Sequence, residues 1–144
     1  MKQVKVALLG LGVVGSGTYK ILQNQKEYIA NNDKVEITVT KVLEKNQDRI
    51  KELKIAKSMV AKNIDEIVND KEISIVAEFF GGINPAKEFL IKCLKSGKSI
   101  VTANKEMLAK SWSELEAAAR EGNAGIYFEA SCVGGVPVIR ALTE

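Results

Sequence analysis

The 144-residue sequence contains no histidine. Ser-His and Cys-His nucleophile pairs and His-ligated zinc are therefore excluded. Any proton transfer must fall to Lys, Glu, Asp, Tyr or Cys. Cysteine is almost as scarce. Cys93 and Cys132 form neither a C-x-x-C motif nor a disulfide framework, which points to a reducing, cytoplasmic setting. No apolar run approaches the roughly 20 residues that span a bilayer, and no signal-peptide pattern opens the chain, so no membrane partner is expected. Blocks of one charge are missing too. The net charge is +3, with lysines interleaved among Glu and Asp, and this argues against a nucleic-acid partner, since phosphate-tracking proteins gather positive charge on one face. Repeats and low-complexity tracts are absent.

What is present suits one globular domain: 46% apolar and 27% charged residues in a chain near the commonest size for a single core. Short apolar runs alternate with amphipathic stretches. VKVALL (Val4 to Leu9) reads as a strand covered on both faces. A helix follows, with Val14, Thr18, Ile21, Leu22 and Ile29 on its inner face and Asn31-Asn32-Asp33 at its end. VEITVTKVL (Val35 to Leu43) alternates and is β-branched, a second strand. A polar helical segment, an apolar patch around Met59 to Ala61 and a brief helix over IDEIVND lead to ISIVAEFF (Ile73 to Phe80), another buried strand. INPAKEFLIKCLKSG predicts a helix capped by Asn84, with Pro85 in the first turn, Gly97 as the stop, and a buried stripe of Ala86, Phe89, Leu90, Cys93 and Leu94. Then come the strand KSIVTA, a helical region from Asn104 to Glu121 broken near Ser111, and the strand GIYFEA. Ser113 with Glu116 offers a capping box within that region, and Gly122 a stop. This alternation predicts a Rossmann-type α/β fold: a doubly wound, mainly parallel sheet with helices on both faces, its ligand beyond the carboxyl ends of the strands.

GLGVVG stands between the first strand and the first helix. In that context Gly10 permits a tight turn, Gly12 leaves room for a pyrophosphate, and Gly15 lets helix and strand approach. The helix N-terminus offers unpaired N–H groups near Val13 and Val14 to an anion. The stretch predicts a dinucleotide cradle. At the end of the second strand an acid, Glu44, suits the ribose hydroxyls of NAD, while Lys45 suits the 2′-phosphate of NADP, so both cofactors stay open; Arg49 reads as a solvated charge.

VTANKEMLA puts Lys105 where a strand turns into its helix, on the ligand side. There a lysine can hold an oxygen of substrate or cofactor, or shuttle a proton. Asn104 can cap the helix or bond the cofactor amide. FEASCVGGVPVIRAL carries two adjacent glycines and Pro137 into a terminal helix begun by Val138 and Ile139. Such a loop is a structural turn or, with its carbonyls exposed together, a seat for a monovalent cation. Cys132 lacks an activating histidine and is not a nucleophile candidate; Cys93 reads as core.

VALLGLGVVGSG, FFGGINPA, VTANKEMLA and FEASCVGGVPVIRAL, in this order, resemble the cofactor domain of homoserine dehydrogenase along essentially all 144 residues. The resemblance implies NAD(P)-dependent interconversion of L-homoserine and L-aspartate 4-semialdehyde, in the aspartate route to threonine, methionine and isoleucine. It implies that Gly10, Gly12, Val13, Val14 and Gly15 contact the pyrophosphate, that Gly81 touches the cofactor beyond the strand ISIVAEFF, and that Lys45 faces the adenosine ribose or its phosphate. Lys105 matches the lysine between nicotinamide and substrate. A sodium ion is implied in the glycine loop, largely on main-chain oxygens, at Glu129, Cys132, Gly134 and Val136. Two departures stand out: Glu44-Lys45-Asn46 in place of a Val-Arg-Asp-like ending, and Cys132-Val133 in place of Val-Ala. The resemblance further implies that residues 1–144 are a dinucleotide-binding domain preceding a substrate-binding, dimerising one, and that alone they bind cofactor without turnover. A stand-alone nucleotide sensor and another amino-acid-pathway dehydrogenase, such as an aspartate dehydrogenase, are the alternatives.

Overall fold

The computed structural model describes residues 1–132 and 138–143. Five strands, β1 (Lys2–Leu9), β2 (Val35–Leu43), β3 (Ile73–Glu78), β4 (Ser99–Thr102) and β5 (Ile126–Tyr127), form one sheet in the order β2-β1-β3-β4-β5. All four pairings are parallel. The helices are α1 (Val13–Asn24), α2 (Lys26–Asp33), α3 (Gln47–Glu52), α4 (Ile64–Val68), α5 (Ala86–Lys95), α6 (Lys105–Gly122) and α7 (Val138–Thr143).

The unbroken apolar character of β1 has a direct cause. Val6 and Leu8 point into one core, with Leu11, Val39, Val42, Ile50 and Ala77, while Ala7 and Leu9 point into the other, with Val76, Leu90, Leu94 and Leu115. A strand that feeds two cores cannot alternate with polar residues. The expected doubly wound architecture is the one found, and the strand order reverses at β1, so the ligand-binding crevice opens between the ends of β1 and β3.

Several local expectations are corrected. The inner face of α1 is only partly the predicted one: Leu22 packs inward as expected, beside Tyr19, but Val14 and Ile21 are 58% and 60% exposed, whereas Gly15 and Ser16 are buried. Gly15 sets this rotation, because only a residue without a side chain fits against the Gly10 carbonyl. The helix is also interrupted at Gln25, which separates α1 from α2. The third strand stops at Glu78, short of Phe80, and the patch at Met59–Ala61 begins at the end of a 3₁₀ turn (Lys57–Met59), after which the extended Val60 bridges to Val42. Pro85, not Asn84, occupies the cap position of α5, without a side-chain cap bond. Ser113 and Glu116 form no capping box. The expected break near Ser111 is present as a kink, with Ser111 non-helical at φ −129°, and Glu116 pairs with Arg120 instead of reaching back to Ser113.

Candidate functional site

The three fingerprint glycines are required for three different reasons. Gly10 has φ +92°, and a Cβ there would lie 3.1 Å from the Phe80 ring. A Cβ on Gly15 would lie 2.1 Å from the Gly10 carbonyl oxygen. A Cβ on Gly12 would meet nothing within 4 Å, so the space above it is open. Gly12 is the cap residue of α1, and the exposed Val13 and Val14 contribute N–H groups that an α-helix cannot satisfy internally. A phosphate fits this cradle in shape and in sign. Ser16 braces it from below, donating its hydroxyl to the Leu11 carbonyl at 2.6 Å.

The second wall of the site is the end of β2. Glu44, half-buried, is folded back onto the backbone. Its Oε2 accepts from Leu11 N at 2.6 Å, and its Oε1 accepts from Lys45 N and Asn46 N at 2.8 Å each. A cavity of about 460 Å³ opens beside it, with Leu43, Ile64, Phe80 and Phe89 as apolar wall and Lys45, Lys62 and Gly81 at its polar rim. Among the described residues the ammonium groups of Lys45 and Lys62 have no ion-pair partner. A flat apolar base with a polar sugar matches these walls.

The third wall is built on β3 and β4, where Glu78 is fully buried and the sequence reading missed it. Thr102 Oγ1 donates to Glu78 Oε2 at 2.6 Å and accepts from Asn104 N at 3.0 Å. Asn104 in turn donates from Nδ2 to the Gly82 carbonyl and accepts at Oδ1 from Met107 N at 3.1 Å. Asn104 is thus the cap of α6 and also the tie between the β3 and β4 loops. Burial pushes the Glu78 carboxyl above the usual range, against the pull of the Thr102 hydroxyl. Its Oε1 is buried without a hydrogen-bond partner among the described residues. A lone acid inside the apolar run ISIVAEFF was the signal that marked it.

Lys105 opens α6 and is exposed at the same edge of the sheet. It lines a second hollow of about 400 Å³ with Leu108, Trp112, Phe128 and Cys132. Of the four residues expected to hold sodium, Gly134 and Val136 lie outside the described residues. Glu129 and Cys132 are described: Glu129 accepts from Ile139 N and Arg140 N at 3.1 and 3.2 Å, so its carboxylate caps α7, and its carbonyl accepts from Cys132 N. Cys93 is buried core, as expected, its thiol pushed up to about 12 by desolvation.

A parallel sheet with an open glycine cradle at its switch point, a helix N-terminus facing that cradle and a nucleoside-sized cavity beside it define a dinucleotide-binding domain. The family model for "Homoserine dehydrogenase, NAD binding domain" matches residues 10–129, and the chain belongs to that family. It is 39% identical over its whole length to the homoserine dehydrogenase of Bacillus subtilis, of which it spans 33%. The crystal structure of the Thiobacillus denitrificans homoserine dehydrogenase superposes with a TM-score of 0.89 at 40% identity, covering 100% of this chain and 33% of that one. A hyperthermophilic archaeal homoserine dehydrogenase, solved with NADPH, shares the fold at a TM-score of 0.76 and 24% identity. The chain thus spans about one third of the length of its curated relatives. The sensor and other-dehydrogenase alternatives are set aside by the family match.

Proposed function

We propose that this chain is the cofactor-holding part of a homoserine dehydrogenase that interconverts L-homoserine and L-aspartate 4-semialdehyde. One observation carries the reading: β1, β3 and β4 are parallel, so the open Gly12 cradle, Gly81 and Lys105 all follow the carboxyl ends of their strands on one side of the sheet. When bound, the nicotinamide supplies and accepts the hydride. The chain's own work is placement. Gly10, Gly12, Val13, Val14 and Gly15 receive the pyrophosphate on backbone, Lys45 and Gly81 border the adenosine cavity, and the Glu78-Thr102-Asn104 ties hold the loop that begins with Lys105. The Lys105 ammonium stands free to steady a substrate oxygen or the cofactor carboxamide. Substrate-binding and dimer-forming parts belong to the two thirds of the relatives that this chain does not span. The two unpaired cysteines fit a cytoplasmic enzyme.

The same proposal includes a sodium ion on main-chain oxygens of the loop at Glu129, Cys132, Gly134 and Val136. Support comes from the EASCVGGVP resemblance; the Glu129 carbonyl, which accepts one bond from Cys132 N, keeps a second lone pair for the ion.

The test is a pair of measurements. Titration of the chain with NADH and NADPH, in sodium and in potassium chloride, is expected to give saturable binding, tighter in sodium. In the protein that carries this domain, homoserine is expected to drive cofactor reduction, and Lys105→Ala to lower turnover far more than cofactor affinity. Failure to bind either dinucleotide would end the proposal, and equal loss of turnover and affinity would reduce Lys105 to a cofactor contact.

A further inference from the structure

The structure assigns Glu44 the role of cofactor selector: we infer that this chain takes NAD(H) in preference to NADP(H). The inference rests on the dinucleotide reading above and narrows it. Three backbone N–H groups converge where β2 meets the glycine loop, those of Leu11, Lys45 and Asn46, and all three already donate to the Glu44 carboxylate, at 2.6, 2.8 and 2.8 Å. Converging amides of this kind are what an extra ribose phosphate would need, and here an internal anion fills them.

The lone-pair count sharpens the point. Oε1 accepts two bonds and is saturated; Oε2 accepts one and keeps a second lone pair. One free acceptor suits a ribose hydroxyl, which can donate. It cannot serve a phosphate, which has nothing to donate and carries the same sign of charge. Lys45 and Lys62, at the rim of the same cavity, pull the other way. Both are exposed, so their attraction acts through water and is screened within a Debye length of roughly 8 Å at physiological salt. Glu44 is half-buried and fixed by three bonds, so its repulsion is screened less than theirs and it is not free to move away. The fixed carboxylate outweighs the mobile ammoniums.

The test is equilibrium titration of the full chain with NADH and with NADPH, followed by fluorescence. NADH is expected to bind at least tenfold more tightly. Glu44→Gln keeps the size of the side chain and removes the charge, and is expected to raise NADPH affinity at least tenfold relative to NADH. Thermal unfolding of the variant separates selectivity from folding, and if it fails to fold, the wild-type ratio alone decides. Equal or tighter binding of NADPH by the wild-type chain would overturn the inference while leaving the dinucleotide reading intact. Binding of neither would remove both.

Discussion

A methyl group added at Gly15 would lie 2.1 Å from the Gly10 carbonyl oxygen, whereas one added at Gly12 would meet nothing within 4 Å. Two glycines of one motif thus serve different masters, the fold in one case and the ligand in the other. Gly15→Ala must push α1 off the sheet and is expected to cost about 1–3 kcal/mol or more of stability. Gly12→Ala has room, and its φ of −64° suits any residue. Its loss as a cap and its gain from a stiffer unfolded chain roughly offset, so stability should hold within about 1 kcal/mol. Dinucleotide affinity should nonetheless fall at least tenfold, about 1.4 kcal/mol, because the new methyl occupies the phosphate's space. Urea unfolding and cofactor titration of both variants separate the two losses. A Gly12→Ala chain that binds as tightly as the wild type would show that the pyrophosphate does not sit there.

At the scale of elements, the ends of β3 and β4, paired in the ladder as far as Glu78 and Thr102, are joined by side chains as well as by backbone. Glu78 on β3 meets Thr102 on β4, Thr102 receives the Asn104 amide, and Asn104 both caps α6 and ties down Gly82. The anchor of this chain of bonds is a buried carboxyl that holds its proton more tightly than its ordinary value near 4.5. The linkage fixes the sign of its pH dependence. Below that ordinary value the group is neutral in the folded and unfolded chain alike, and its stabilising contribution is fully present. As pH rises past it, the unfolded chain ionises first, and stability falls until the folded group ionises as well. Glu78→Gln cannot ionise, so its urea midpoint should lack this decline, and its stability relative to the wild type should grow from pH 4.5 toward neutrality. Curves that run parallel across that range would show that Glu78 is not held protonated. Because the same bonds position the first residue of α6, loosening them should also weaken the presentation of Lys105.

For the molecule as a whole, the layers were readable from periodicity: β2 ends where its β-branched run ends, at Leu43, and the stripe Ala86-Phe89-Leu90-Cys93-Leu94 is the buried side of α5. Periodicity failed where a long-range contact overrode it. The rotation of α1 is set by Gly15 against Gly10, and the buried Glu78 finds its partner 24 residues away on another strand. The Glu44 clamp was half legible, since its place at a strand end is local but its bond to Leu11 spans 33 residues. These long-range contacts converge on the proposed cofactor site, so the cofactor should act on the stability of the entire sheet. The cradle, the adenosine cavity and the Glu44 wall draw on the ends of β1, β2 and β3, and none of them exists in the unfolded chain. A ligand that binds only the folded state at one hundred times its dissociation constant adds about 2.7 kcal/mol. For a domain of this size that is a rise of roughly 5–10 °C in the unfolding midpoint. The rise should grow with the logarithm of NADH concentration, and should fall to about half or less in Gly12→Ala at the same concentrations. An equal rise in that variant would mean that NADH stabilises the chain from somewhere other than the glycine cradle.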